Sequence, residues 1–217
     1  LFNRIRKDLF PAVVGDVMDK LGLLHQFLPP TIQPLRADMV ILGRAMPVLV
    51  EDLHDDNRHL HKEKPFGLML EALDDLRTNE VYIASGASPQ FALWGELMST
   101  RAIQLGSSGA VLNGYSRDTP GILSLNFPTF SYGCYAQDQG PRGRVVDFRQ
   151  KISIGKVEIA PGDIVFGDVD GVCIIPQSAE DEVIKLAIEK ATGEKVVQRE
   201  ILNGMSAVEA FRTYGIM

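Results

Sequence analysis

The sequence predicts an α/β fold with a mixed sheet, and three patterns support this prediction. Apolar strand-like runs alternate with a helical pattern, as in the strand 81–85, the helix 96–105 and the strand 110–112. Such alternation is typical of βαβ units with parallel strands. Over residues 143–176 the pattern changes to short apolar runs separated by turns, which indicates further strands. Residues 178–217 then show the amphipathic pattern of helices.

Length and composition are those of one globular domain over residues 1–217. The chain has 217 residues, of which 45% are hydrophobic and 23% charged, so it is long enough to bury a core of its own. A formal net charge of -6 argues against a nucleic-acid partner, because phosphate binding needs clustered Lys and Arg. No apolar run reaches the roughly 18 residues that span a bilayer. We therefore expect a cytoplasmic protein with neither a nucleic-acid nor a membrane partner.

Local signals place the first elements of the chain. A helix is predicted over residues 11–21, because Pro11 stands at its start and Gly22 just past its end. Two paired strands are predicted at 39–42 and 45–50, with a break at the glycine between them.

The polar segment 51–61 combines histidines with acids and allows two interpretations. His59 and His61 stand two residues apart and would share one face of a strand, as ligands of a zinc site do. Catalytic zinc ligands, however, usually lie on regular elements, often at helical spacing, with a further ligand from a distant segment. A run of this composition is more often a solvated loop.

The middle of the chain predicts a ligand-binding edge of the sheet. A helix is expected over 68–76, followed by the strand 81–85. In α/β sheets, ligands bind at the carboxyl ends of the strands. We therefore expect residues 85–88, 95–98 and 117–118 to lie along one edge.

The stretch from Gly95 onward contains the first candidate binding group. A helix is predicted to begin near Glu96, with Leu97 and Met98 on its apolar side and Ser99 facing elsewhere. The first amides of a helix have no carbonyl four residues back, and the helix dipole makes that end weakly positive. The N–H groups around Leu97 and Met98 are therefore suited to bind a small carboxylate.

An Arg-Asp pair follows the strand 110–112 and supplies the second candidate group. If that strand delivers Arg117 and Asp118 to the edge of the sheet, Glu96 and Asp118 face one another across a crevice. Two carboxylates and a guanidinium suggest a divalent cation that holds an oxo-acid. Each residue also has an ordinary interpretation: Glu96 matches the helix dipole, Asp118 caps the next helix before Thr119-Pro120, and Arg117 is a surface residue.

Other chemistries lack their motifs. No Gly-x-Gly-x-x-Gly follows a strand, which argues against a Rossmann cofactor, and no glycine-rich loop for S-adenosylmethionine follows one either. No Gly-x-Ser-x-Gly elbow of a serine hydrolase occurs. Cys134 and Cys173 both lie in apolar or strand-like surroundings, which predicts buried, reduced thiols rather than a disulfide.

The spacing around the Arg-Asp pair resembles that of a known family. Glu96 is followed by twenty residues and then by Arg117-Asp118. In this spacing the chain is similar to the 4-hydroxy-4-methyl-2-oxoglutarate (HMG/CHA) aldolases, which are class II pyruvate aldolases. These share a family with the RraA-like regulators of ribonuclease E, and many members carry the label dimethylmenaquinone methyltransferase. The segments 161–176 and 15–22 resemble the same family, so that the likeness covers nearly the whole chain.

The resemblance implies a metal-dependent lyase that acts on a 4-hydroxy-2-oxo acid. Asp118 would bind Mg²⁺ or Mn²⁺, and Glu96 would hold a water on that metal and polarise it as the base. Arg117 would act as the catalytic cation on the keto oxygen, and the amides of Gly95 to Met98, including Leu97, would bind the substrate carboxylate. Cleavage would release pyruvate, and decarboxylation of oxaloacetate would proceed through the same enolate.

The resemblance also implies two further substrate contacts and a fold. Asn57, next to Asp56, corresponds to a substrate-pocket residue of the family, and Glu194 to an acidic residue that reaches a neighbouring subunit's pocket. The implied fold is a layered β/β/α, swivelling-domain-like single domain with C-terminal helices over about 178–217. The implied assembly is a homotrimer or homohexamer.

Two alternatives to the aldolase remain open. One is a non-catalytic, RraA-like regulator of ribonuclease E, a branch in which the Arg-Asp pair is typically not intact. The other is a related lyase or hydratase that acts on a sugar-derived acid, in which case the unusual segment 51–67 would determine the substrate.

Overall fold

The structure is a computed structural model that describes residues 1–54, 62 and 64–216. The chain forms two compact units, one of Leu1–Leu24 with Ser178–Met217 and the other of His25–Gln177. The single domain over 1–217 stays a prediction, whereas the predicted α/β class is confirmed.

The helices agree with most of the helical patterns in the sequence. They are α1 Phe2–Asp8, α2 Pro11–Lys20, α3 Met69–Asp74, α4 Glu96–Gln104, α5 Thr119–Ser124, α6 Glu180–Leu202 and α7 Ala207–Tyr214.

The strands agree with most of the strand patterns in the sequence and add short ones. They are β1 Gln33–Pro34, β2 Ile41–Asp52, β3 Glu80–Ser85, β4 Ala92–Trp94, β5 Gly109–Leu112, β6 Tyr115–Ser116, β7 Thr129–Ser131, β8 Gly143–Phe148, β9 Ile152–Ile154, β10 Val157–Ile159, β11 Ile164–Asp168 and β12 Gly171–Ile175.

The larger unit is built on a mixed eight-stranded sheet. Its order is β1-β7-β5-β3-β2-β11-β12, and β8 also pairs with β2. The central pairs β2–β3, β3–β5 and β5–β7 are parallel, whereas β11 pairs antiparallel with both β2 and β12. Parallel strands need crossover connections, which here contain the helices α3, α4 and α5 in turn.

Both faces of this sheet are covered, which explains why its strands are apolar almost throughout. Tyr82 and Ala84 of β3 pack in one core cluster with Ala72 of α3 and Ala102 of α4. The alternate residues of β3 pack in a second cluster with the apolar residues of the two-stranded sheet β9–β10, among them Ile154. Small sheet, main sheet and helices correspond to the predicted layered β/β/α arrangement.

Strand β2 corrects the prediction of two strands separated at a glycine. It runs without a break through Gly43, because β11, β3 and β8 hydrogen-bond to successive parts of it. Gly43 is needed for space rather than for a turn: a β-carbon there would lie 2.5 Å from the carbonyl oxygen of Asn79. The close approach of the backbone at Asn79, and not a break in the strand, therefore accounts for this glycine.

The smaller unit contains α1, α2, α6 and α7. Lys190 of α6 is about 10% exposed and pairs with Asp16 of α2 at 2.8 Å and with Glu194 one turn further along α6. Ser178, whose residue type is common at helix N-caps, does not cap α6, because the N-cap residue is Ala179, which makes no side-chain capping bond. Among the described residues, no helix combines the length and apolar character that crossing a membrane requires.

Candidate active site

Two short parallel strands bring the predicted site residues together. Strand β4 pairs with β6 in a separate two-stranded sheet, with Ala92 opposite Tyr115 and Trp94 opposite Ser116. The N–H of Arg117 donates a hydrogen bond of 2.9 Å to the carbonyl of Trp94. Because parallel strands end at the same edge, the residues after β4 and after β6 become neighbours. The twenty residues between Glu96 and Arg117 are thus the connection between two adjacent strand ends.

This arrangement corrects the expected route to the site. The strand 110–112 forms β5 as predicted, but β6 is the strand that directly precedes Arg117. Neither β4 nor β6 was predicted, because two or three residues carry too little periodicity to be recognised.

Gly95 and Asp118 are in close contact across this edge. A β-carbon on Gly95 would lie 2.7 Å from Oδ2 of Asp118. Gly95 has an extended backbone, with φ -151° and ψ -176°, which any residue can adopt. Its lack of a side chain is therefore required only by the neighbouring carboxylate.

Asp118 does not act as an ordinary helix cap. It occupies the N-cap position of α5, but its side chain makes no capping hydrogen bond, and its backbone is left-handed, with φ 56° and ψ 33°. A residue other than glycine pays roughly 1 kcal/mol or more for this conformation. The conformation leaves the carboxylate 47% exposed. The predicted N-cap position of Asp118 is confirmed, but its side chain does no capping, and its carboxylate is accessible to a ligand.

Arg117 is held by a carboxylate that the sequence did not reveal. Its Nη1 donates a hydrogen bond of 2.8 Å to Oδ1 of Asp138, while its Nε lies 3.6 Å from Oδ2 of Asp118. The other oxygen of Asp138 accepts a hydrogen bond of 3.1 Å from the N–H of Gly140. Asp138 is thereby fixed on both sides and orients the guanidinium. In sequence, Asp138 lies between two glutamines before Gly140-Pro141, a composition typical of a turn.

A cavity of about 290 Å³ opens beside these groups. Its polar lining consists of Arg117, Asp118, Asp138 and Gln139. The other lining residues are Gly95 and a set of apolar side chains: Phe66, Met69, Leu70, Leu73, Ala92, Leu93, Trp94, Leu97 and Met98. The predicted residues Gly95, Leu97, Met98, Arg117 and Asp118 therefore share one cavity.

Gln139 is a second lining residue that sequence reasoning missed. It is only 5% exposed, and its Nε2 makes no hydrogen bond to any described residue. A buried polar group without a partner costs free energy, so such groups are rare unless they serve a ligand or a water.

The start of α4 has free amides, as predicted, and Met98 packs against the core as predicted, but Leu97 and Ser99 do not lie on the predicted sides of the helix. The N–H groups of Leu97 and Met98 donate no hydrogen bond within the part of the chain that is described, whereas that of Ser99 bonds to the carbonyl of Gly95 at 3.1 Å. Leu97 is 84% exposed and Ser99 is fully buried, so both predicted orientations are wrong. The reason is Trp94, which is buried and donates its indole N–H to Oγ of Ser99 at 2.7 Å.

Glu96 begins α4 as predicted but is not among the described residues that line the cavity. Its carboxylate lies against Gly121, in the first turn of α5, where a β-carbon would overlap with it. Asp118 is the N-cap of the same helix. Both carboxylates therefore lie at the N-terminal end of α5, and a shared ligand between them stays a prediction.

The charges of this cluster suit a hard divalent cation. Two carboxylates, those of Asp118 and Asp138, flank the single guanidinium of Arg117, and Glu96 forms no ion pair with a described residue. The described residues hold no group of three or more potential His, Cys, Asp or Glu ligands, so a transition-metal cage is not present among them. Mg²⁺ keeps several waters and needs only one or two protein carboxylates. The exposed carboxylate of Asp118, with Glu96 nearby, fits that pattern.

The other predicted residues fall into three groups. Asn57, with Asp56, His59 and His61, falls outside the described residues, so their roles stay predictions. Glu194 lies on α6 in the smaller unit and forms an ion pair with Lys190. Residues 85–88 are not among the residues that line the cavity.

The cysteines correct one expectation. Cys173 is fully buried, and burial, together with the nearby charge of Asp168, raises the pKa of its thiol to about 12. Cys134 is exposed, with Oγ1 of Thr119 donating a hydrogen bond of 3.0 Å to its sulfur. Both thiols are free, as predicted, but only Cys173 is buried.

Relatives of this chain are found among proteins named as aldolases. A protein of Halalkalibacterium halodurans, provisionally named 4-hydroxy-4-methyl-2-oxoglutarate aldolase, is 30% identical over 200 residues, which are 91% of this chain and 87% of that relative. Protein DlpA of Legionella pneumophila is 28% identical over 207 residues, which are 94% of this chain and 32% of that relative. The chain thus spans about a third of the length of DlpA.

Solved structures share the fold. A crystal structure described as one of novel cellulases from gut-associated microbes has a TM-score of 0.77 at 30% identity, with 86% of this chain and 82% of that chain covered. RraAS2 of Streptomyces coelicolor, described as an unusual member of an RNase ES inhibitor family, has a TM-score of 0.80. It is 18% identical, with 91% of this chain and 96% of that chain covered, and shows the fold alone.

A family profile gives the assignment. The profile described as RraA-like, Aldolase/RraA, matches residues 12–174, which is most of the chain. This match and the aldolase-named relative confirm the resemblance that the Glu96 to Asp118 spacing indicates. The chain therefore belongs to the RraA-like family.

Proposed function

We propose that the protein is a divalent-metal-dependent carbon–carbon lyase that cleaves a 4-hydroxy-2-oxo acid and releases pyruvate. One observation supports it above all: Arg117, Asp118, Leu97 and Met98 line the same cavity, and the N–H groups of Leu97 and Met98 donate no hydrogen bond to a described residue. Anion-binding amides, a guanidinium and a metal-binding carboxylate are the groups that an enolising 2-oxo acid needs. The aldolase name of the H. halodurans relative agrees with this chemistry.

Asp118 is the residue proposed to hold the cation, with Glu96 positioned to bind one of its waters. When bound, Mg²⁺ or Mn²⁺ supplies Lewis-acid polarisation of the substrate's keto group. The left-handed backbone of Asp118 and the absence of a side chain at Gly95 leave room for the carboxylate to serve this purpose.

Arg117 and the start of α4 are proposed to bind the substrate. The amides of Leu97 and Met98 hold the C1 carboxylate, which matches the positive end of the helix dipole. Arg117 stabilises the negative charge that develops on the keto oxygen, and its Nη2 is available for this because only Nη1 bonds to Asp138. Since Asp138 fixes the guanidinium, little reorganisation is needed at the moment of reaction.

The retro-aldol step also needs a base for the C4 hydroxyl. Glu96 is the candidate, acting through a water, because its carboxylate has no ion-pair partner among the described residues and lies against Gly121, in the first turn of the helix that follows Asp118. Oxaloacetate decarboxylation needs no such base, since loss of CO₂ gives the same pyruvate enolate. We therefore propose it as a second activity of the same site.

Pyruvate release from oxaloacetate, with Mg²⁺ and with a chelator, tests this function. We expect turnover with the metal and little above the solution rate without it. Asp118→Ala is expected to lower the metal-dependent rate by a factor of roughly a hundred or more, while its circular dichroism spectrum stays that of the unchanged protein. Wild-type turnover in Asp118→Ala would refute the metal assignment. No turnover of oxaloacetate or of any 4-hydroxy-2-oxo acid would favour the non-catalytic alternative.

A further inference from the structure

The polar end of the cavity contains a side chain to which the proposed function gives no role. Arg117, Asp118, Asp138 and Gln139 form this end. Under the proposed function, Asp118 holds the cation, Arg117 acts on the keto oxygen and Asp138 orients Arg117. Of these four described residues, Gln139 is the one whose side chain is left to be explained.

The backbone of Gln139 is fixed. Its carbonyl oxygen accepts hydrogen bonds from the N–H groups of Arg142 at 2.7 Å and of Gly143 at 2.9 Å. The preceding residue, Asp138, accepts hydrogen bonds from Arg117 and from the N–H of Gly140. The side chain of Gln139 therefore starts from a well-defined position, directly after the residue that orients the guanidinium.

The side-chain amide of Gln139 lacks the partner that a buried amide needs. The residue is 5% exposed, and its Nε2 is closed off from water and donates no hydrogen bond to a described residue. Burying such a donor without an acceptor costs free energy. The terminal torsion of a glutamine is soft, so a small rotation turns the amide towards an oxygen in the cavity. A ligand that supplies this oxygen recovers the missing hydrogen bond.

The oxygen on C4 of the substrate is the acceptor that the other groups leave over. The amides at the start of α4 and the guanidinium of Arg117 are proposed to bind the C1 carboxylate and the C2 keto oxygen. Both proposed substrates also carry an oxygen on C4, which is a hydroxyl in a 4-hydroxy-2-oxo acid and a carboxylate in oxaloacetate. An amide N–H can donate to either group, because both accept hydrogen bonds.

We infer that Gln139 is a substrate-binding residue whose Nε2 donates a hydrogen bond to the oxygen on C4. This inference rests on the proposed function and assigns one more residue to the same site. Pyruvate has no C4 and therefore offers this donor no acceptor. Gln139 thus distinguishes oxaloacetate from pyruvate.

The hydrogen bond acts on the ground state when the substrate is oxaloacetate. The C3–C4 bond breaks, its electron pair stays on C3 of the pyruvate enolate, and the carboxylate leaves as uncharged CO₂. C3 then takes up one proton to give pyruvate. A donor to the departing carboxylate binds the substrate more strongly than the transition state, so it lowers KM without raising kcat.

Oxaloacetate kinetics of Gln139→Leu, with the full chain and Mg²⁺, test the inference. We expect KM to rise roughly tenfold, since a hydrogen bond to a charged group is lost, while kcat stays the same or rises. Gln104→Leu makes the same change at an exposed position of α4 that is not among the described lining residues, and should keep the KM of the unchanged protein. An unchanged KM in Gln139→Leu, or the same rise in both variants, would overturn the inference.

Exchange of the pyruvate methyl protons in D₂O, followed by NMR, is the second readout, because it needs the enolate but no group on C4. Gln139→Leu should exchange within about twofold of the unchanged protein. A loss of exchange as large as the rise in KM would show that Gln139 acts on the pyruvate half, and would overturn the assignment to C4. Absence of exchange in the unchanged protein would overturn the lyase proposal itself, and this inference with it.

Thermal unfolding separates substrate binding from a structural role. Gln139→Leu should not lower Tm, because it removes a buried amide that has no described partner. Gln139→Glu keeps the shape of the side chain but has no N–H when ionised, and should raise KM at least as much as Gln139→Leu. A lower Tm in Gln139→Leu together with an unchanged KM in Gln139→Glu would make Gln139 a structural residue and overturn the inference.

Discussion

Gly95 leaves open the space that the carboxylate of Asp118 occupies, since a β-carbon at position 95 would stand 2.7 Å from Oδ2 of Asp118. We expect Gly95→Ala to displace this carboxylate and to weaken Mn²⁺ binding by roughly tenfold, the usual effect of disturbing a group beside a metal ligand. The extended backbone at Gly95 accepts alanine, so folding should be unaffected. Titration calorimetry with Mn²⁺ measures the effect, and wild-type affinity would contradict it.

Gly121 likewise leaves open the space that the carboxylate of Glu96 occupies. Gly121→Ala removes a glycine from the first turn of α5, which by helix propensity alone should stabilise the protein by up to about 1 kcal/mol. The new methyl group displaces the Glu96 carboxylate, and we expect turnover to fall roughly tenfold to a hundredfold. Thermal unfolding and steady-state rates together check this. In a Glu96→Gln background, Gly121→Ala should lower turnover much less, because the displaced carboxylate is already absent.

Asp138 should act on substrate binding through Arg117. Asp138→Ala removes the hydrogen bond to Nη1 and leaves the guanidinium free to turn. We expect the KM for oxaloacetate to rise by roughly tenfold, because a mobile side chain must be ordered on binding. Asp138→Asn keeps an acceptor oxygen for Arg117 and should recover most of the loss. A variant whose KM is unchanged would show that Arg117 does not depend on Asp138.

Ser99 should matter for stability rather than for binding. Ser99→Ala leaves the buried indole N–H of Trp94 without an acceptor, and we expect the free energy of unfolding to fall by about 1 to 3 kcal/mol. Urea unfolding measures this. Thr100→Ala is the control, one residue further along and on the exposed side of α4. It should change the free energy of unfolding by less than about 0.5 kcal/mol.

The two thiols should differ in reactivity. Only the thiolate is nucleophilic, and burial holds the pKa of Cys173 at about 12, so that this thiol stays protonated at pH 8. We expect iodoacetamide at pH 8 to modify the folded protein once, at the exposed Cys134. Peptide mass mapping identifies the site, and Cys134→Ser should prevent the reaction. Cys173 gains thiolate character only as the pH rises towards 12. Modification of Cys173 in the folded protein at pH 8 would contradict this account.

Most of the fold was predictable because it depends on local patterns. The strand β3, the helix α4 and the short strands after residue 143 have clear apolar periodicity and turn signals, and the structure contains them at nearly the predicted bounds. Strand β2 was predicted as two pieces because glycine is a local signal of a break, whereas the three strands that bond along it are not visible locally.

The site was predictable only in part, because contacts between distant segments are not visible in local patterns. Leu97 and Ser99 were assigned to the wrong sides of α4, because helical periodicity does not reveal that a buried indole needs an acceptor. Asp138 and Gln139 lie in a segment that has the composition of a turn, and nothing in the chain order connects them with Arg117. Their proximity follows from how the loop after β7 returns over the cavity.

The sequence by itself determined the α/β class and the family, and it predicted Glu96, Arg117 and Asp118 as a site, because periodicity and motif spacing are properties of the chain order. Only the tertiary structure decided that β4 and β6 make Gly95 a neighbour of Arg117 and Asp118, that Asp138 orients Arg117, and that Gly95 leaves room for Asp118. These relations are contacts between atoms far apart in the chain, and such contacts arise only when the strands pair and the side chains pack.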